Sequence, residues 1–162
     1  MEIFTLGHST RQFEEFVNLL KFYKIETVVD VRHFPHSKKF PWFNKEFLEQ
    51  NLAKNEMKYV WIEKLGGFRE SGYKEYMKEE EWREGIRQLL EIASKNKTVV
   101  MCAEVLWWKC HRRYISNWLV DNGWEVFHIF DEKRIEKHSL TEHKDTKVKC
   151  DRQLNNLSCF TD

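Results

Sequence analysis

The sequence predicts an α/β fold: a single domain with a mainly parallel, five-stranded sheet and helices on both faces, in Rossmann-like or flavodoxin-like layering. Short apolar runs of strand character alternate with helical runs along most of the chain. Such alternation produces parallel strands joined by right-handed crossovers. A chain of 162 residues is also large enough to form one domain with its own core.

Individual residues indicate where the helices begin and end. Ser9 or Thr10 can cap a first helix, and Asn44 can cap a second that ends near Lys54. Gly123 follows the last helical run, where a glycine commonly ends a helix. The five predicted strands cover residues 2–6, 26–32, 59–62, 98–102 and 125–130, and the later helices cover 74–95 and 110–122.

The composition changes after about Arg134. Lys, His, Thr, Asp and Asn then dominate, and the hydrophobic periodicity vanishes. Such segments do not bury enough apolar surface to fold by themselves. We therefore predict an α/β domain over residues 1–134 and a polar C-terminal tail over residues 135–162, extended or partly disordered.

Charge and hydropathy indicate which kinds of binding partner and which cellular compartment to expect. The chain has 27 basic and 26 acidic residues, so its bulk charge does not indicate nucleic-acid binding, although a local basic patch remains open. No apolar run approaches the roughly 20 residues that span a bilayer, and no secretory signal pattern is present. We expect a cytoplasmic protein with no membrane partner, whose cysteines are thiols or ligands. No motif requires a cofactor, so the cofactor and the oligomeric state stay unknown.

Several predicted strands end in residues whose side chains can bind a substrate or take part in catalysis. Because the carboxyl ends of parallel strands meet at one edge of a sheet, where ligands bind, we expect these side chains to line one pocket. The candidate catalytic residues are His8, Asp30, Glu104 and Cys110. The candidate substrate-binding residues are Arg32, Arg112, Ser9, Thr10, Asn44, Cys102 and His111.

The first two junctions each allow a structural and a functional interpretation. Gly7-His8-Ser9-Thr10 at a helix start favours an anion, but Ser9 with Gln12 also fits a capping box. Asp30 and Arg32 share one face of a strand. They predict either a salt bridge, from Asp30 to Arg32 or Arg112, or an acid/base group beside a bidentate phosphate clamp.

Cys110 also has two interpretations. A helix start and neighbouring arginines would lower the pKa of its thiol. Its helical phase with Tyr114 and Trp118 instead predicts burial, as does that of His111 with Ile115. We expect Cys110 to react slowly with iodoacetamide, after Cys150 and Cys159 of the tail.

Known cysteine and zinc signatures do not fit. A cysteine phosphatase would place arginine where Trp108 stands, and a rhodanese-type loop would place a basic residue at Trp107. Cys102, Cys110 and His111 lack the paired, closely spaced ligands of structural zinc sites, so we predict no metal site.

Two classes of function remain. The first is an enzyme acting on a phosphate-bearing small molecule, nucleotide or nucleic acid at the carboxyl edge of the sheet. The alternative is a non-catalytic nucleotide or nucleic-acid binding module with the same arginine clamp. Aromatic side chains in the loops could stack nucleobases in either case, although packing over the sheet edge explains them too. These are Phe34, Phe40, Trp42, Phe43, Trp107 and Trp108.

Six short motifs follow one another along the chain: Gly7-His8-Ser9-Thr10, Asp30-Val31-Arg32, Phe43-Asn44-Lys45, Leu65-Gly66-Gly67, Met101-Cys102-Ala103-Glu104 and Cys110-His111-Arg112. In this order they resemble a widespread group of prokaryotic proteins called domain of unknown function 488. The resemblance covers roughly residues 1–130 and implies an α/β domain, but it implies no established reaction.

Overall fold

The computed structural model describes residues 1–140, which form one six-stranded sheet with helices on both faces. The strand order is β3-β2-β4-β1-β5-β6, and every neighbouring pair is parallel except β5 and β6. The predicted α/β class and mainly parallel sheet are confirmed. The strands are β1 Glu2–Gly7, β2 Thr27–Asp30, β3 Lys58–Trp61, β4 Thr98–Cys102, β5 Glu125–Ile129 and β6 Ile135–Lys137.

The sixth strand is not predicted from the sequence. β6 lies beyond Arg134, where the sequence is polar, and it is held by antiparallel pairing with β5. The backbone N–H of His138 donates to the carbonyl of Val126 at 2.7 Å, which extends this pairing. Ordered structure thus continues past the predicted start of the tail at residue 135. Most of that tail, including Cys150 and Cys159, lies outside the described residues.

Helices pack on each face of the sheet and bury separate apolar layers. One layer holds α1 and α2 against alternate strand residues such as Val28 and Met101. The other holds α4 and α5 against the intervening residues, such as Val29 and Cys102. Strand side chains alternate between faces, which explains the division. The helices are α1 Phe13–Phe22, α2 Lys45–Ala53, α3 Tyr73–Tyr76, α4 Glu80–Lys95 and α5 Arg112–Asp121.

Two helix caps differ from the predictions. α1 is capped by Gln12, which forms a capping box with Glu15, so the caps predicted at Ser9 or Thr10 are wrong. Asn44 occupies the N-cap position of α2 without a capping side-chain bond. Its Oδ1 instead accepts a hydrogen bond from the backbone N–H of Ser37, which fixes the loop that precedes α2.

Candidate functional site at the carboxyl edge of the sheet

Asp30 and Arg32 form a salt bridge at the end of β2, and both side chains are fully buried. The Arg32 Nε lies 2.9 Å from Oδ1 of Asp30, and Nη2 lies 2.6 Å from Oδ2. Nη2 also donates to the carbonyl of Phe43, and the Tyr59 hydroxyl donates to Asp30. The geometry is that of the salt-bridge interpretation, because protein atoms accept these guanidinium donors.

His8 follows β1 and is packed against the same ion pair. Its ring stacks on Phe43 with the centroids 4.0 Å apart. Nδ1 lies 2.8 Å from the carbonyl of Ser9, so Nδ1 carries the proton and donates it. Nε2 is then the acceptor nitrogen, and it lies 3.4 Å from Nη1 of Arg32. This arrangement selects the tautomer with a lone pair on Nε2.

Burial and three nearby arginines lower the pKa of His8 well below its ordinary value. Burial has the largest effect. The positive charges of Arg32, Arg11 and Arg112 follow in that order, because each disfavours a protonated ring. The ring is therefore neutral at physiological pH. The same three cations create positive potential around this end of the sheet.

The loop after β1 uses its backbone N–H groups within the sheet. His8 N donates to the Cys102 carbonyl at 2.8 Å, and Ser9 N donates to that of Ala103 at 3.0 Å. A Cβ on Gly7 would lie only 1.9 Å from the carbonyl oxygen of Glu104. These close contacts explain the glycine, and they leave the N–H groups of His8 and Ser9 engaged rather than directed at an anion. Thr10 is exposed.

The second charged group is centred on Arg112, which is almost fully buried at the start of α5. Its Nε lies 3.3 Å from Sγ of Cys110, and its Nη1 donates to Oγ1 of Thr5 at 3.0 Å. Nη2 donates to the backbone carbonyls of Glu104 and Val105. Arg112 therefore ties the loop between β4 and α5 to β1.

Cys110 and Cys102 meet beside this guanidinium. Their sulfur atoms are 3.3 Å apart, and both residues are fully buried free cysteines. Burial raises the pKa of Cys110, but the hydrogen bond from Cys102 and the charge of Arg112 outweigh it and lower the pKa to about 7. Burial and the contact with Cys110 raise the pKa of Cys102 well above its ordinary value.

The remaining predicted residues stabilise loops. Glu104 is partly exposed, and its Oε1 accepts the backbone N–H of Leu106 at 3.1 Å. His111 is fully buried, and its Nε2 donates to the carbonyl of Val31 at 2.7 Å. A Cβ on Gly67 would lie 2.5 Å from Nδ1 of His111, so only glycine fits against that ring.

The predicted site residues share one edge of the sheet, but they divide between its two faces. His8, Asp30 and Arg32 lie on the side of α1 and α2, as the alternation from Leu6 and Val28 requires. Cys102 and Cys110 lie in the layer of α4 and α5. Two surface cavities, each of about 460–470 Å³, are lined by other residues. Neither cavity contains the predicted site residues, so the expectation that these residues line one pocket stays a prediction.

A hydrogen-bonded chain that the sequence does not predict extends from Arg112 through Thr5. The Thr5 hydroxyl donates to Nδ1 of His128 at 2.6 Å, and Nε2 of His128 donates to Nδ1 of His138 at 2.9 Å. Nε2 of His138 then donates to Oδ1 of Asn117 at 2.7 Å. These directions are set at the far end of the chain, because Oδ1 of Asn117 only accepts. Nε2 of His138 must then carry its hydrogen, and in neutral rings each preceding group donates in turn. His128 stacks on Trp107, with centroids 4.5 Å apart.

Two other features bear on the predicted partners. Among residues 1–140, no group of three or more His, Cys, Asp or Glu side chains is arranged to hold a metal ion. Within the same range, no helix combines the length and apolar character needed to cross a membrane.

The fold and this edge define an α/β protein with a buried charged cluster on each face of a parallel sheet. A family model described as "Domain of unknown function DUF488" matches residues 12–119, and the chain therefore belongs to that family. The matched segment includes Asp30, Arg32, Cys102 and Arg112, whereas Gly7–Thr10 precede it. No curated protein and no solved structure matches the chain.

Proposed function

We propose that this chain is an enzyme that acts on a phosphate-bearing small molecule, nucleotide or nucleic acid, with His8 as its general base. The observation that carries the proposal is the setting of the His8 ring. Its Nδ1–H is fixed by the Ser9 carbonyl, and its Nε2 lone pair faces positive potential from arginines. A neutral imidazole beside a site that favours anions suits proton transfer during attack on a phosphate.

The arginines support an anionic substrate through their field. Arg32 and Arg112 are bonded to protein atoms, so in this geometry they act at a distance rather than as a bidentate clamp. Arg11 donates to the carbonyls of Gly7, His8 and Phe130 in the same region. Bound phosphate would offset the positive charges that lower the pKa of His8. Its pKa would then rise toward neutrality, and the base would become stronger when the substrate is present.

The proposed step is hydrolysis at phosphorus. In this step a water molecule takes the place of Nη1 of Arg32 beside His8 Nε2. Nε2 accepts a proton from this water as the water oxygen forms its bond to phosphorus. The bond from phosphorus to the ester oxygen breaks, and the leaving oxygen takes up the proton from His8. Glu104 is the second acid/base candidate, because its carboxylate is the partly exposed one among the predicted catalytic residues. Asp30 keeps Arg32 in place by accepting hydrogen bonds from its Nε, its Nη2 and its backbone N–H.

The loop after β2 supports a nucleotide as the phosphate-bearing group. Phe34 is 47% exposed there, and Lys38 and Lys39 are exposed a few residues further on. An exposed ring can stack a base while nearby cations attract phosphates. The aromatic residues Phe40, Trp42 and Phe43 instead contact one another, which is the packing alternative.

The binding module remains the second candidate, and a specific observation favours it. His8 is only 2% exposed, and its low pKa makes it a weak base in the unliganded protein. A protein that only binds a nucleotide on its loops does not need this ring to reach a substrate.

The experiment measures ester hydrolysis and nucleotide binding on the same preparations. The substrates are p-nitrophenyl phosphate and bis(p-nitrophenyl) phosphate, and the binding probe is a fluorescent ATP analogue. The variants are His8→Gln and the matched change His143→Gln, which lies beyond the family segment. We expect hydrolysis of at least one ester, a loss of about 100-fold in His8→Gln, and no loss in His143→Gln.

One outcome would contradict the role of His8, and another would contradict the enzyme itself. Equal hydrolysis by wild type and a folded His8→Gln variant would remove His8 as the base. Absence of hydrolysis with retained binding of the ATP analogue in both proteins would establish the binding module instead. Circular dichroism of each variant confirms that the fold is intact.

A further inference from the structure

The two buried cysteines are placed for chemistry with each other. Cys102 is the last residue of β4, and Cys110 lies just before α5, yet their sulfur atoms are only 3.3 Å apart. A disulfide needs a separation near 2 Å, so a small movement of either side chain closes the gap. Both side chains belong to the layer of α4 and α5, on the other face of the sheet from His8.

The surroundings give the two sulfurs different roles. Cys110 Sγ accepts hydrogen bonds from the backbone N–H of Arg112 at 3.4 Å and from its Nε at 3.3 Å. A guanidinium and an N–H at a helix start both stabilise a thiolate. Both sulfurs also lie near a backbone carbonyl, Cys110 at 3.8 Å from that of Trp107 and Cys102 at 3.6 Å from that of Glu104, but only Cys110 accepts hydrogen bonds from Arg112. These donors make Cys110 the sulfur that ionises more readily and Cys102 the one that keeps its proton.

We propose that Cys102 and Cys110 are a redox pair that a hydroperoxide converts into an intramolecular disulfide. In the first step the Cys110 thiolate attacks one oxygen of the peroxide, and the O–O bond breaks. Cys110 becomes a sulfenic acid, and the departing oxygen takes up a proton as water or an alcohol.

In the second step the Cys102 sulfur attacks the sulfenic sulfur and loses its proton. The S–O bond breaks, the oxygen leaves as water, and the disulfide forms. In total, two thiols and one hydroperoxide give a disulfide, an alcohol or water, and a further water. The two electrons that reduce the O–O bond come from the two sulfur atoms. A dithiol reverses the reaction.

Burial limits which reagents can reach the two cysteines. Both cysteines have no exposed surface, so a bulky alkylating reagent reaches them only when the structure opens. Hydrogen peroxide is close to water in size and needs a much smaller opening. The loop that connects the two cysteines includes Glu104, Val105 and Leu106, which are partly exposed.

Oxidation would also change the partner of Arg112. The thiolate is the anion nearest to its guanidinium, and a disulfide sulfur is neutral. Arg112 would keep its bonds to Thr5 and to the carbonyls of Glu104 and Val105, but its positive charge would lose its counterion. The redox state of the pair is therefore coupled to the charge at the carboxyl edge of the sheet. This inference does not depend on the proposed hydrolysis.

The test uses the full chain with Cys150→Ser and Cys159→Ser, so that only the pair remains. The protein is treated with hydrogen peroxide, denatured, alkylated with N-ethylmaleimide and digested with trypsin. Cleavage after Lys109 separates the two cysteines into peptides 98–109 and 110–112. We expect these peptides to be joined by a disulfide after peroxide, and to be separate and alkylated after a dithiol.

Single variants test the order of the steps. In Cys102→Ser treated with peroxide, dimedone added together with denaturant should trap a sulfenic acid at Cys110, because the folded protein excludes reagents of this size. In Cys110→Ser, Cys102 should be oxidised at least about tenfold more slowly than Cys110 is in Cys102→Ser. The reason is the higher pKa of Cys102, because each unit of pKa changes the thiolate population about tenfold. Iodoacetamide should label Cys110 slowly in the native chain, as its helical phase predicts.

The readouts keep this inference separate from hydrolysis. Unlinked and fully alkylated peptides after peroxide would overturn the redox pair, and this measurement needs neither single variant to fold. Equal oxidation rates in the two single variants would overturn the assigned order. Loss of ester hydrolysis in His8→Gln has no bearing on either result, because the linked peptides are detected by mass.

Discussion

Arg112 carries its charge inside the protein, where four groups of the chain accept its hydrogen bonds. Its partners are the Cys110 sulfur, the Thr5 hydroxyl and the carbonyls of Glu104 and Val105. A buried charge is tolerated only when it is paired and fully hydrogen bonded. The residue therefore has a structural role whether or not its field also attracts a substrate.

Replacing Arg112 with methionine should strongly destabilise the fold. The side chains are similar in length, but methionine leaves the Thr5 hydroxyl and two carbonyls without their donor. Breaking a buried charged contact of this kind costs about 3–5 kcal/mol. The free energy of unfolding is measured by urea denaturation, with Arg87→Met on the exposed face of α4 as the matched control. A loss no larger than that of the control would contradict the structural role.

Individual site residues differ in how far the sequence predicts them. The Asp30–Arg32 salt bridge follows from two charges on one face of an apolar strand, and it is one of the two interpretations that the strand pattern allows. Burial of Cys110 and His111 follows from their helical phase. The sulfur contact spans only eight residues, but it depends on the path of the loop between β4 and α5, which no periodic pattern predicts. The chain from Thr5 to Asn117 joins residues distant in sequence, so no local pattern signals it. Inward alternation of His128 in β5 is the one available hint.

At the level of elements, β1 and the loop after β4 approach each other with no space between them. A Cβ added to Gly7 would fall 1.9 Å from the Glu104 carbonyl oxygen and 2.7 Å from Cα of Val105. Both are backbone atoms, so the contact cannot be relieved by a side-chain rotation. The close approach is what allows His8 and Ser9 to extend the pairing of β1 with β4.

Gly7→Ala should therefore cost more than about 3 kcal/mol or prevent folding, since overpacking against rigid backbone displaces both elements. Gly85→Ala is the matched control. The added methyl group there meets the side chains of Lys64 and Leu65 at 3.0–3.1 Å, and alanine favours the helix by about 1 kcal/mol. Soluble yield and urea denaturation are compared. Equal stability of the two variants would show that the edge adapts to the methyl group.

Element prediction succeeds where the hydrophobic pattern is strong. The five apolar runs all form strands, and the run over residues 74–95 forms α3 and α4. β6 is missed because its polar residues carry no pattern, and its pairing with β5 supplies the stability. The predicted start of α1 is too early, because Gln12 is a less common cap than Ser9 or Thr10.

Across the whole molecule, the sheet separates two buried charged clusters, one on each face. On one face Arg32 is paired with Asp30, and on the other Arg112 donates to the Cys110 sulfur. His8 and His128 lie beside these clusters as neutral rings. Both have a pKa well below the ordinary value, in each case because burial, followed by nearby arginine charge, disfavours the protonated form.

These two histidines predict that the protein loses stability in mild acid. In the unfolded chain each histidine binds a proton near pH 6.5, whereas in the folded protein it resists protonation to much lower pH. The contribution is therefore fully present above about pH 7.5 and is lost as the pH falls below about 6.5. Each ring can contribute a slope of up to about 1.4 kcal/mol per pH unit, so the pair should give up to about twice that.

Urea denaturation between about pH 7.5 and about pH 5.5 measures this slope. His8→Gln should reduce the slope, because its ring no longer takes up a proton on unfolding, whereas His128 and His33, whose pKa values are also lowered, still do. His143→Gln should leave the slope unchanged if the buried rings are its source. Carboxylates affect the free energy of unfolding chiefly at lower pH, since their unfolded pKa values lie near 4. A stability that is constant over this range in the wild type would mean that the buried rings accept protons without loss of their packing.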